Sequence, residues 1–229
     1  DMCRPDRLLY LFIHGRMQSP IIWDVIIIPT YIVICFLLLY FPLLPDLAIL
    51  KNHFSKTNPK LSKWYGKLSL NWTGSEQQKK IQIKSIHIIA ILIIPAGFIL
   101  QTVDAWLFST LFRVGWDSTN LGAYFISGAS VAGVGALVTV VYVIRRTNKL
   151  EEYITDYHFD KLGKFLVLTC LIYLYFNINE YVIPEFTSKK EEISHLNHLY
   201  SGQYAPLFWF VIIGGLIIPI IVLLFKKGR

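Results

Sequence analysis

An all-α, polytopic integral membrane helix bundle is the fold class this sequence predicts, and three observations predict it. Of 229 residues, 54% are hydrophobic and only 16% charged, where a soluble domain has about a quarter charged. Mean hydropathy is +0.49. The apolar residues are gathered into five runs, each with about 20 or more residues, enough to cross a hydrocarbon core of about 30 Å as a helix and too many for barrel strands. This balance excludes a disordered chain, a coiled coil and an ordinary soluble α/β enzyme.

In chain order, the segment Arg7–His14 (RLLYLFIH) places Leu8, Leu9, Phe12 and Ile13 together at helical spacing, which suits a short helix lying on the membrane interface. The spans follow at roughly Ile21–Leu44, Ser85–Phe108, Leu121–Ile144, Leu162–Pro184 and Ala205–Phe225. Pro29, Pro95 and Pro219 fall inside them, as membrane helices tolerate. Trp23, Trp106, Trp116 and Trp209 sit near span ends, where an interfacial belt places them. The polar stretch Lys51–Lys80 is long enough to hold a short interfacial helix. In the third span, Ala129/Gly133 and Ala132/Ala136 recur at i,i+4 and predict close helix packing there. The five spans are expected to form one transmembrane domain over residues 1–229.

Lys and Arg set the orientation. The stretches 51–80, 145–164 and 226–229 alternate with the spans onto one side and hold 15 of the 22 basic residues. That side is expected to be cytoplasmic, in a multi-pass protein of the inner membrane. The net charge of +7 is thus a topology signal, and no nucleic-acid partner is expected. The partner of the apolar surface is the lipid bilayer.

Ionisable groups inside spans are costly and therefore mark candidate sites. Asp24 follows Trp23 at the outer end of the first span. His87 lies at the inner end of the second and Asp104 at its outer end, about 25 Å apart along a helix. Gln101 and Asp104, three apart, share a face. Glu180 lies near the outer end of the fourth span, beside Asn177 and Asn179. Cys3, Cys35 and Cys170 follow no metal or disulfide spacing, so no iron–sulfur cluster is expected in this chain. Of six histidines only His87 is within a span, which argues against a haem held between facing helices. No metal site, P-loop or dinucleotide fingerprint is present.

Several local strings then carry a family resemblance. CRPDRLLYLFIHGRMQSPIIWD (Cys3–Asp24) resembles the motif preceding a transmembrane helix in the NrfD/PsrC family. GWDSTNLGAYFISGA (Gly115–Ala129) is similar to that family's GWHST…PYFVAGA segment, with Asp117 in place of His. YLYFNINEYVIPEF (Tyr173–Phe186) and HLYSGQYAPLFWF (His198–Phe210) resemble its later helices. These are quinone-interacting membrane subunits of polysulfide reductase-like enzymes, of alternative complex III and of the related menaquinone reductase complex. Members have eight to ten spans, so the resemblance implies an internal portion of a longer subunit.

The resemblance also implies a function: binding of quinone or quinol (menaquinone or ubiquinone) near the periplasmic surface. Electrons would be exchanged with a periplasmic ferredoxin-like iron–sulfur subunit, beside further membrane and catalytic subunits, with proton translocation as a further expectation. Asp24 matches the family's Trp-Asp pair. Gln101 falls at the position of a family His, and Asp104 lies one turn before Leu107, where the family has Asp. Asp24 and Asp104 are thus the candidate proton-exchanging groups; Gln101, Trp23 and Trp106 are candidates for holding the quinone, and His87 and Glu180 for proton relay. A secondary transporter and a purely structural anchor for redox subunits are the rival classes.

Overall fold

The computed structural model describes residues 8–111, 113, 116, 118, 120–187, 190–226 and 228. Among them every regular element is helical. The five membrane-crossing helices expected from the sequence are α2 (Pro20–Thr57), α4 (Glu76–Ser109), α5 (Leu121–Thr147), α6 (Asp156–Thr187) and α8 (Ala205–Leu224). Three short helices complete the order: α1 (Leu8–Ile13), α3 (Pro59–Leu68) and α7 (Lys190–Tyr200). The chain divides into two compact units, Asp1–Leu100 and Gln101–Arg229.

The helices outrun the apolar runs. At 38 residues, α2 is about 57 Å long, nearly twice the hydrocarbon core. Hydropathy marks only the part in lipid. Backbone hydrogen bonding continues through polar residues such as Lys51 and Lys56, which are good helix formers.

In the first unit, a single extended residue, Asn58, reverses the chain between α2 and α3. Its side-chain oxygen accepts from the Leu61 N–H (3.3 Å), and Pro59 occupies the first helical position, where its missing N–H is harmless. The stretch Lys51–Lys80 therefore holds the short helix expected there, but α3 folds back along α2. Ser62 Oγ donates to the Lys51 carbonyl (3.0 Å), the Tyr65 ring stacks on Phe54 (5.7 Å), and the Tyr40 hydroxyl donates to the Leu68 carbonyl. Leu70, Asn71 and Gly74 adopt left-handed backbone (φ 50°, 54° and 77°) to turn the chain into α4. The Gln78 side-chain oxygen then accepts from the Thr73 N–H, the Thr73 hydroxyl and the Gly74 N–H.

Pro42 and Pro45 lie inside α2 near the C-terminal end of its apolar run. Pro45 has no N–H to give the Phe41 carbonyl four residues earlier. The Gln82 amide, on α4, donates to that carbonyl instead (2.7 Å). A helix interrupted by proline is thus completed by a neighbouring helix, as a chain in lipid requires.

In the second unit α5 and α6 pack as a hairpin. An Arg145–Asp156 ion pair (2.9 Å) joins their Lys-rich ends; it is exposed on the aspartate side and worth little. Cys170 of α6 and Leu216 and Ile220 of α8 form a buried cluster, with Val131, Leu166, Tyr173 and Leu174 around it. The small-residue contact differs from expectation. Gly128 is where α6 comes close, since a Cβ there would stand 3.1 Å from the Tyr173 ring. Gly133 has nothing within 4 Å of such a Cβ, and Ala132 and Ala136 are exposed. The packed face runs through Ser127, Gly128, Val131 and Val134, one step round the helix. A bulky tyrosine, not a second small residue, fills the space that the glycine leaves.

The last span contains a π-helical stretch, Phe210–Ile217, between α-helical Ala205–Trp209 and Ile218–Leu224. Gly214 and Gly215 lie within it.

Candidate functional site

The N-terminal end of α2 carries the first candidate group. Pro20 opens the helix, and its ring pre-sets the backbone for helical φ. The Trp23 indole N–H turns back to donate to the Met17 carbonyl (2.6 Å), while the ring is 38% exposed. Asp24, next in sequence, is half-buried. Its Oδ1 is shielded from solvent and has no hydrogen-bond partner among the described residues. A buried carboxylate oxygen left so is costly, by kilocalories, unless it is protonated or meets a donor.

In the second unit the C-terminal end of α4 presents Gln101 and Asp104, both half-buried, on one helical face. Asp104 is flanked by Val103 and Ala105, both buried, whereas the Trp106 ring is 51% exposed. The Phe108 ring meets Trp116 edge-on (5.2 Å) and Phe125 at a tilt (5.7 Å), which ties this end of α4 to α5. The Arg113 guanidinium lies over Trp116, 5.1 Å from the ring centre.

A polar ladder descends between α5 and α6. At its mouth the Ser118 hydroxyl donates to Glu180 Oε2 (3.0 Å). One turn down, buried Asn177 donates from Nδ2 to the Tyr173 carbonyl (3.1 Å). Below it the Tyr173 hydroxyl donates to the Tyr124 hydroxyl (3.1 Å). Beside the ladder, Tyr181, Tyr200, Phe208 and Trp209 pack edge to face and join α6, α7 and α8. The Trp209 indole donates to the Tyr200 carbonyl (3.1 Å). Burial, and after it the Glu185 carboxylate, pushes the Tyr200 phenol above its usual pKa.

Sequence reasoning placed Gln101 with Asp104 and Glu180 among polar neighbours. It did not find Ser118, Tyr124 or Tyr173: hydroxyls scattered through apolar runs have no spacing that links them. His87 is exposed on α4. Asp117 lies outside the described residues. Among the described residues no group of three or more His, Cys, Asp or Glu could hold a metal ion.

The family model described as Polysulphide reductase, NrfD, matches residues 1–228. A relative in Halobacterium salinarum (strain ATCC 700922 / JCM 11081 / NRC-1), described as a membrane subunit of dimethyl sulfoxide reductase, is 28% identical over 141 residues. That alignment covers 61% of this chain and 29% of the relative, so the chain spans less than a third of the relative it matches. With five membrane-crossing helices and a family match along almost its whole length, this chain is a multi-pass membrane protein and belongs to the NrfD, polysulphide reductase, family.

Proposed function

We propose that the chain is the quinone-interacting part of a membrane subunit in a respiratory oxidoreductase, working beside iron–sulfur and catalytic subunits. The observation that carries this reading is Asp24: a carboxylate oxygen shielded from water, with no partner among the described residues, at the end of a membrane helix. Such a group fits a ligand that brings a hydroxyl or accepts a proton. The family supplies the ligand class. The quinone–quinol couple, when bound, supplies electron transfer coupled to proton exchange.

The chain's own residues do the rest. Asp24 and Asp104, both half-buried, hold and release protons at their carboxyl oxygens. In the second unit the Gln101 amide orients a headgroup beside the Trp106 ring; in the first, Trp23 stands next to Asp24 as a second candidate for holding the quinone. Glu180, held by Ser118, passes protons towards the outer surface, and His87 serves on the inner side. The periplasmic iron–sulfur partner is ferredoxin-like in this reading. The test is addition of quinol to the complex purified with that partner. Absorbance changes of its clusters are expected; clusters that do not respond in an otherwise active complex would reduce the chain to an anchor.

The lysine-rich side is cytoplasmic in this proposal. A cysteine at Ser55, exposed near the end of α2, is expected to react with an impermeant maleimide only from inside. One at Ser201, exposed between α7 and α8, is expected to react only from outside. Ser188, another outer-loop position, lies outside the described residues. The opposite labelling pattern would invert the topology.

A further inference from the structure

Helix α3 has three faces, and among the described residues only one of them packs against the chain. Ser62, Tyr65 and Gly66 pack on α2, where a Cβ on Gly66 would rest 3.5 Å from the Lys51 side chain, and Ser69, which caps the helix, is almost wholly buried. A second face, Leu61, Trp64 and Leu68, is apolar and exposed, Trp64 to 65%. A third, Lys60, Lys63 and Lys67, is basic and exposed. Each exposed stripe follows the i, i+3, i+7 spacing of one helix face. Lys67 Nζ lies 6.0 Å from the centre of the Trp64 ring, so the two stripes adjoin.

The depth of this surface follows from its tethers. The Tyr40 hydroxyl holds the Leu68 carbonyl, and Gln82 holds the Phe41 carbonyl, so the end of α3 lies level with the inner limit of the apolar runs. The headgroup layer is about 6–7 Å thick on each side, and Trp64 stands one turn, about 6 Å, above Leu68. Trp64, Lys63 and Lys67 therefore occupy that layer. Leu70 follows, 64% exposed in left-handed backbone, at its hydrocarbon edge. An aromatic, two leucines and lysines at this depth complement an anionic lipid surface in both polarity and charge.

We infer that α3 and the turn after it form a binding surface for anionic phospholipid headgroups in the leaflet on the lysine-rich side. Lys63 and Lys67 engage the headgroup phosphates, and Trp64, Leu68 and Leu70 sit at the acyl boundary. This surface owes nothing to the quinone reading and stands if that reading fails.

The test is the full chain in nanodiscs of phosphatidylcholine alone or with phosphatidylglycerol. A higher melting temperature with phosphatidylglycerol is expected, and it should shrink as salt rises. The double variant Lys63→Gln/Lys67→Gln should keep its melting temperature in phosphatidylcholine and lose that gain, with affinity for the anionic lipid down about tenfold or more. Tryptophan quenching by lipids brominated near the headgroup, measured as the difference between native chain and Trp64→Phe, should report Trp64 in the interface. Equal melting temperatures in the two bilayers, or a double variant that retains the gain, would overturn the inference. An unquenched Trp64 would do so too, and would give the surface to an acidic protein partner.

Discussion

Asp104→Asn is expected to cut quinone turnover by the assembled complex about 10²-fold or more, while binding of a headgroup inhibitor changes little. The substitution keeps the size of the side chain and one acceptor oxygen. It removes the exchangeable acid. Asp104 is itself half-buried on α4, which limits the access of water to replace its function. In the proposed reading Gln101, on the same face, would retain the headgroup contact, which is why binding and turnover should separate. Asp24→Asn is expected to behave alike, because its Oδ1 has no partner among the described residues to take over. Full turnover in both variants would sink the assignment. Loss of inhibitor binding in step with turnover would make these groups part of the binding surface and not proton carriers.

The second large effect concerns stability. Gln82→Leu is expected to destabilise the chain by about 1–3 kcal/mol, roughly a five- to 150-fold shift toward unfolding, because it strands a carbonyl in an apolar setting. That carbonyl, Phe41's, loses its helical donor to Pro45 and has the Gln82 amide in its place. Pro45→Ala restores the missing N–H. In the double variant Pro45→Ala/Gln82→Leu, most of the loss should therefore return, and thermal unfolding of the four proteins forms a cycle. Simple additivity of the two changes would mean that Gln82 contributes packing only.

These two cases mark what the sequence could and could not disclose. Asp24 and Asp104 stand out in sequence because a carboxylate inside an apolar run is conspicuous on its own. Gln82 does not: it lies before the predicted start of the second span at Ser85, among polar residues, and its importance depends on a proline 37 positions away. The five spans were legible because lipid imposes about 20 apolar residues on each. Their ends were not, since α2 and α4 continue as helices into polar sequence. The Tyr124–Tyr173 and Ser118–Glu180 pairs join residues 49 and 62 apart, set by how α5 and α6 settle against one another. Gly128 shows the same limit, for a run rich in Gly and Ala offers several equivalent packing faces and only the position of Tyr173 chooses among them.

The π-helical stretch in α8 gives that helix an unusual sensitivity to length. A wider turn stores residues that an α-helix of the same rise would not need. Leu216, within the stretch, and Ile220, beyond it, both reach the Cys170 cluster. Were the stretch to tighten into α-helix with Gly214 and Gly215 both kept, each surplus residue would rotate everything after it by about 100°. Ile220 would then swing away from Cys170 with no change in the composition of the helix. The residue count between Trp209 and Ile218, more than the identity of the residues counted, holds the two halves of this span in phase.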